Sequence, residues 1–402
     1  MIIMNNIAVE LKLEEFRLYV EREIEYFPVI GVKKGKLGAL LFLMHYYKEK
    51  QIENIELIED VLWSVLNNVE LIYESDRPSQ ELAELGWFVH YIEKEGLYEI
   101  DSDELLEDID EVVYKSMMDF VSQQNYDTVF GSVPNALYFL ERMTANGRGA
   151  EKARQFLNEF VDAVLHQLQH DRDSVIINVN YTGISHGFSG LLLCIINLYE
   201  HGVQPDKSAL IIKILQKLIW ESRLKDFEVT SNSFFPVSLK HYKTDDSKWF
   251  DCWSYGDIGI LFAQLRIAKL WNDSLLEKEV LELIRLKSID KVATEKTFRQ
   301  NDYSVWYGSN GFAFFYQQVI SMGYEHDYLL ESYNYWVKRT IAFAVTIDKD
   351  EDNDPEYPRL FNFGEKYPSE KVLLTGIPAV GMLLLCYINK SHLSFIRFLN
   401  YL

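Results

Sequence analysis

His186 is the one histidine of this chain that sits on a Gly-x-x-Gly frame, in Ser185-His186-Gly187-Phe188-Ser189-Gly190. Imidazole changes charge near neutral pH, which makes it the usual side chain for moving a proton. Asp127 stands four residues before Gly131. A carboxylate beside an imidazole makes an acid–base pair, and Tyr255 or Tyr307 could assist with a hydroxyl. A plainer reading stands beside each of these. His186 could simply cap the Gly187 turn, and aspartate is a common N-terminal helix cap. Cysteine is the other residue type able to do chemistry, and only Cys194, Cys252 and Cys386 occur. Their spacing gives neither a disulfide framework nor a metal knuckle. Cys194 and Cys386 lie in apolar runs and are expected to be buried, structural thiols.

Two further stretches share the histidine's frame: Trp253-Ser254-Tyr255-Gly256-Asp257-Ile258-Gly259 and Trp306-Tyr307-Gly308-Ser309-Asn310-Gly311. Each leads straight into an apolar segment. Two permissive residues before a buried helix suggest a turn in which the backbone approaches a neighbour closely. The free N–H groups of such a helix would point back at whatever lies in front of it. Weaker versions occur at Gly35-Lys36-Leu37-Gly38, at Glu81 to Trp87 with glutamates in both glycine positions, at Gly131 to Pro134, and at Gly376 to Gly381. Pro134 suits the first turn of a helix.

The frames begin at 35, 81, 131, 187, 256, 308 and 376, in steps of 46 to 69 residues. Each step holds one buried helix, one outer helix and their connections, and self-similarity at this period marks a repeat architecture. The expected fold is all-α: a closed α/α toroid of seven inner and outer helix pairs, one domain over 1–402 with no linker. Amphipathic helices are expected at 8–30 and 54–73, an acidic one at 99–124 with Ile109 and Val112 among its apolar positions, and one with a solvated face at 149–171. The aromatic stretch at 230–253, with Phe234-Phe235-Pro236-Val237, reads as extended, a small β-hairpin. Lys33, Lys34 and Lys36 read as a solvated turn, and Asp348 to Asp354, before Pro355 and Pro358, as an acidic loop.

Net charge is −21 over 402 residues, with 48% apolar and 14% aromatic residues. The charge excludes nucleic acid, whose phosphates need a basic surface. It would favour a basic peptide, or serve solubility alone. The N-terminus lacks a basic region followed by a long apolar run, and no window is apolar enough to span a membrane, so a cytoplasmic protein is expected.

The three stretches resemble the signature of the lanthionine synthetase C family, the cyclases of lantibiotic biosynthesis, which carries S-H-G-x-x-G, W-C-Y-G-x-x-G and C-H-G-x-x-G in this order. The resemblance covers nearly the whole chain and implies the α/α toroid. It also implies a zinc ion that binds a peptide cysteine as thiolate, which then adds to a dehydrated serine or threonine. A free thiol titrates near ~8.5, so a cation at the sulfur is what deprotonates it. Here Ser254 stands at the family's second-motif cysteine, and Trp306 and Tyr307 at its Cys-His pair. A hydroxyl, an indole and a phenol do not make the Cys, Cys and His set, and Cys252 is one thiol two residues away. No cofactor is therefore expected. Phe250 stands where the family has an arginine, which removes a cation from the site.

The family's histidine falls on His186, where it implies proton transfer to the enolate or the leaving thiol, and its acidic partner on Asp127. Trp253 and Tyr255 match the aromatics beside the missing cysteine and, with Trp306 and Tyr307, are expected to wall a binding cavity. Three functions follow. The chain binds a peptide, such as a lanthipeptide precursor, without cyclising it, as partner of a dehydratase or an active cyclase. Alternatively, His186 and Asp127, with Tyr255, run acid–base chemistry on the peptide without zinc. The third reading is a carbohydrate-active α/α toroid, against which stands the presence of a single frame histidine.

Overall fold

Apolar residues in unbroken runs force a helix to be covered on every side, and this chain alternates such helices with one-faced ones. The computed structural model describes residues 6–27, 29–33, 35–144, 147–223, 233–239, 252–289, 303–344 and 376–389. Among them there is no β-strand, only isolated bridges from Tyr181 to Gly187 and to Ser238. The chain divides into two compact units, one of residues 1–81, 94–98 and 298–393, the other of 82–93, 99–297 and 394–402.

The first unit holds α1 (Asn6–Glu23), α2 (Lys36–Lys50) and α3 (Ile55–Leu66). α4 (Pro78–Lys94) leads out of it, and most of its length belongs to the second unit. The second unit continues with α5 (Ser102–Ser122), α6 (Val133–Thr144), α7 (Ala150–His170), α8 (Arg172–Val179), α9 (Phe188–Glu200), α10 (Pro205–Glu221), α11 (Asp257–Trp271) and α12 (Ser274–Ile289). The first unit resumes with α13 (Ser309–Ser321), α14 (Asp327–Phe343) and α15 (Ile377–Asn389).

Every Gly-x-x-Gly frame opens a helix buried all round. In α9, Leu191 through Ile196 are each at most 1% exposed. α7, which packs against α6, instead buries Ala153, Phe156, Leu157, Phe160, Val161, Val164 and Leu168 at spacings of three and four, a single face. α9 with α10, α11 with α12, and α13 with α14 repeat the pairing, and α1 closes onto α15. Inner helices also meet one another: α6 touches α9, and α9 touches α11.

The frame glycines answer to space, not to left-handed backbone. Gly187 and Gly256 have φ of −137° and −100°, open to any residue. A Cβ on Gly190 would collide with the Ile184 carbonyl oxygen and the Thr128 methyl, and one on Gly259 with the Trp253 carbonyl oxygen. Each second glycine thus lies under the carbonyl six residues before it. The expectation that these helices aim free N–H groups forward is corrected. At α9, Phe188 and Ser189 donate to the carbonyls of Tyr181 and Thr182, and at α2, Lys36 and Leu37 donate to those of Val29 and Ile30. The preceding loop uses up the amides.

Other expectations shift with the packing. α4 starts at Pro78, ahead of Glu81, because proline suits the first turn. α5 buries Leu106, Asp110, Val113, Met117 and Val121, which leaves Val112 43% exposed on the opposite face. Lys33 is buried, not solvated. Of the proposed hairpin, 233–239 forms bends held by the Asp257 carboxylate, which accepts from the amides of Phe234 (2.7 Å) and Phe235 (3.0 Å) and the Ser233 hydroxyl (2.9 Å). Residues 230–232 and 240–251 of that segment, Phe250 among them, Lys34, and the acidic loop at 348–354 with Pro355 and Pro358 lie outside the described residues. All three cysteines are buried and unbridged, and burial pushes the Cys194 thiol far above its usual range.

Candidate functional site

Three consecutive frames of the second unit are joined by main-chain hydrogen bonds. The Ser254 carbonyl accepts from the amides of Ile184 (2.8 Å) and Ser185 (3.0 Å). The Ser185 carbonyl in turn accepts from the Thr128 amide (3.1 Å) and hydroxyl (2.5 Å). The absence of a side chain at Gly183, whose Cβ would collide with the Ser254 carbonyl, lets the loops meet this closely. The turns carrying Asp127, His186 and Tyr255 are therefore held in register by backbone groups, whatever side chains they bear.

Asp127 fulfils both readings offered for it. Its Oδ1 accepts from the amides of Val129 (2.6 Å) and Phe130 (2.9 Å) and holds the turn that precedes α6. Its Oδ2 lies 2.5 Å from His186 Nδ1. An ionised carboxylate only accepts, so Nδ1 carries the proton, and Nε2 of the neutral ring remains an acceptor with no partner among the described residues. Both side chains are 18% exposed, enough for a ligand to reach them. The Tyr255 ring stands 5.3 Å from the imidazole, Tyr181 6.4 Å and Phe130 6.3 Å, centre to centre.

The pair opens onto a cavity of about 430 Å³, lined also by Tyr255, Tyr181, Tyr126, Val179 and the amides of Gln123, Gln124, Asn125 and Asn178. Among the described residues that line it, there is neither lysine nor arginine, and Asp127 is the one carboxylate. Among the described residues, neither serine nor cysteine lines it. Sequence reasoning missed Tyr181, Gln124 and Asn178. Tyr181 had a signal, since it lies six residues before Gly187, whose Cβ would meet the Tyr181 carbonyl (2.5 Å). Asn178 belongs to α8, a short helix with no sequence pattern to announce it.

The other site candidates lie elsewhere. Trp253 is fully buried, its ring 5.5 Å from Phe262, and does not line the cavity. Ser254 is 0% exposed, and its hydroxyl has no partner among the described residues. Cys252 is 3% exposed and accepts from the Tyr255 amide at 3.4 Å. Trp306 and Tyr307 belong to the first unit, with rings 6.2 Å apart edge to face and the Tyr307 amide bonded to the Ser304 hydroxyl (3.1 Å). A zinc site needs thiolate, imidazole or carboxylate donors, and Ser254, Trp306 and Tyr307 do not fit one. Among the described residues, no group of three or more His, Cys, Asp or Glu side chains is placed to hold a metal ion, and no helix is long and apolar enough to cross a membrane.

Comparison with solved structures finds a match to a nisin cyclase, with a TM-score of 0.71 and 11% identity over 98% of this chain and 97% of that one. This likeness shows the fold, the all-α α/α toroid expected from the repeated frames. No curated protein matches the sequence. The family model for lanthionine synthetase C-like proteins matches residues 30–344, which takes in all three stretches and every residue of the cavity. The chain belongs to the lanthionine synthetase C-like family.

Proposed function

We propose that this chain binds a lanthipeptide-type precursor peptide in the cavity beside His186 and works without zinc, presenting the peptide to a dehydratase or an active cyclase. The observation that carries this reading is the donor set at the three ligand positions: a buried serine hydroxyl, an indole and a phenol. None of these draws a proton from a thiol as a bound cation does. The cavity, by contrast, is intact, aromatic and rich in amides that suit a peptide. The same reading takes the chain to be a single working domain in the cytoplasm.

A second reading rests on the His186–Asp127 bond. With Nδ1 held by Asp127, Nε2 can take the proton of a peptide thiol. The sulfur then adds to the β-carbon of a dehydrated residue, and the imidazolium returns the proton to the α-carbon. Orientation would have to supply what the cation does not.

The test uses a fluorescein-labelled peptide with one dehydroalanine and one cysteine. Anisotropy reads binding, and alkylation of free thiols followed by mass spectrometry reads ring closure, which leaves the mass itself unchanged. Saturable binding with the thiol still free supports the first reading. Thiol loss that survives a chelator and disappears in His186→Ala supports the second. No binding at all overturns both.

A further inference from the structure

We propose that Gln124 and Asn178 form a clamp for one peptide bond of the bound chain, beside His186; the proposal rests on the peptide-binding reading above. Gln124 Oε1 accepts from the Ser174 hydroxyl (2.8 Å) and from Asn178 Nδ2 (2.7 Å). Here Asn178 donates and Gln124 accepts, and the Ser174 hydroxyl, able to donate or accept, fills the oxygen's second site. What remains is one donor, Gln124 Nε2, and one acceptor, Asn178 Oδ1, neither with a partner among the described residues. Both residues line the cavity that holds His186. A linked donor and acceptor complement a peptide unit, which offers one carbonyl and one N–H. The described lining residues include no lysine or arginine to receive an anion, and the Asp127 carboxylate is already engaged by His186 and two amides, so these residues favour an uncharged, hydrogen-bonding ligand.

The backbone shows that this glutamine is held at a cost. α5 ends in a Schellman turn, with Gln124 N donating to the Val121 carbonyl (2.9 Å) and Asn125 N to that of Phe120 (2.9 Å). Gln124 has φ of +57°, at the position where glycine is the usual residue. On the other side of Asn178, Asn180 has φ 55° and ψ −38°, and Tyr181 N donates across it to the Val179 carbonyl (2.6 Å). That is the rare, strained form of the three-residue turn. Strain of this kind gathers where a ligand is gripped.

Gln124→Gly separates binding from folding. It removes the donor and two side-chain hydrogen bonds, but relieves the left-handed backbone, so its thermal midpoint should stay near that of the parent chain. Its affinity for the fluorescein-labelled peptide should fall about fivefold to tenfold, the worth of a lost hydrogen bond, and Asn178→Ala should do the same. A set of peptides singly N-methylated along the backbone supplies the partner half of the test. One position should weaken binding to the parent chain by a similar factor yet have no effect on Asn178→Ala. If the parent chain binds the peptide and neither the variants nor any N-methylation alters affinity, the clamp is overturned and the peptide reading survives. Full affinity with a lowered midpoint in Gln124→Gly makes the side chain a structural tie and also overturns the clamp. Failure of the parent chain to bind any peptide, with stabilisation by an oligosaccharide instead, overturns both.

Discussion

Asp127 uses one carboxylate oxygen for the fold and the other for the imidazole, so its two duties can be taken apart by substitution. Asp127→Asn keeps an oxygen for the Val129 and Phe130 amides but turns an N–H donor towards His186 in place of the acceptor. We expect it to change stability by less than about 1 kcal/mol, to leave peptide binding in place, and to lower any thiol addition by about 10² or more. Asp127→Ala also loses the turn's cap, and should cost about 1–2 kcal/mol in urea unfolding. His45, in α2, makes a separate prediction. Burial holds its imidazole down to about 4, against 6.5 when free. Below pH 6.5 the unfolded chain takes up a proton that the folded chain refuses. Stability is therefore complete above about pH 6.5 and falls as the pH drops towards 4, by about 3 kcal/mol in all. Urea midpoints at pH 7 and pH 5, compared with His45→Gln, check this, since the variant should show the smaller loss. Of the residues singled out from sequence, Asp127, His186 and Tyr255 reach one cavity. Trp253 does not, because its ring is turned into the core against Phe262, a direction that the spelling of a turn does not encode.

At the scale of elements, the frames work as spacers. The second glycine lets a helix start beneath the carbonyl six residues earlier, and that clearance allows the three turns to bond to one another. Gly190→Ala sets a methyl against the Ile184 carbonyl and the Thr128 methyl, and should cost about 3 kcal/mol, with its effect on unfolding rather than on the chemistry of His186 alone. Asp257 has a different task. Its carboxylate, fully buried, bonds Lys287 (2.8 Å), two amides and a hydroxyl, and ties 233–239 to α11 and α12. Asp257→Ala removes the Lys287 ion pair and the acceptor for two amides and a hydroxyl in a buried site, and a loss of about 3–5 kcal/mol is expected by chemical denaturation. Inner helices were legible because apolar runs tolerate no exposed face. α8 was not legible, since Asp171 at its N-cap makes no side-chain cap bond and its eight residues are too few for a periodic stripe, and yet it brings Asn178 to the cavity.

At the scale of the whole molecule, family and fold coexist with a donor set that does not suit the family's metal. Elemental analysis of tag-free protein made with added zinc should give far less than one zinc per chain, and a chelator should leave the thermal midpoint unmoved. Close to one zinc per chain, released with a fall in that midpoint, would defeat the zinc-free proposal. The net charge of −21 belongs to this scale too. It disfavours polyanions as partners, whereas the described lining of the cavity is made of neutral side chains beside the engaged Asp127 carboxylate.

The repeated frames, the alternation of all-round and one-faced apolar helices, the family resemblance and the substitutions at the ligand positions can all be read from the order of residues. Each is a property of spacing and residue type along the chain, and survives any detail of packing. It takes the folded chain to show that the Asp127 carboxylate meets both its own turn and His186, that Ser254 and Trp253 are buried, and that Gln124, Asn178 and Tyr181 share the cavity. The Asp127–His186 and Gln124–Asn178 bonds join residues 59 and 54 positions apart and depend on backbone clearances under the glycines, and neither is written in local pattern.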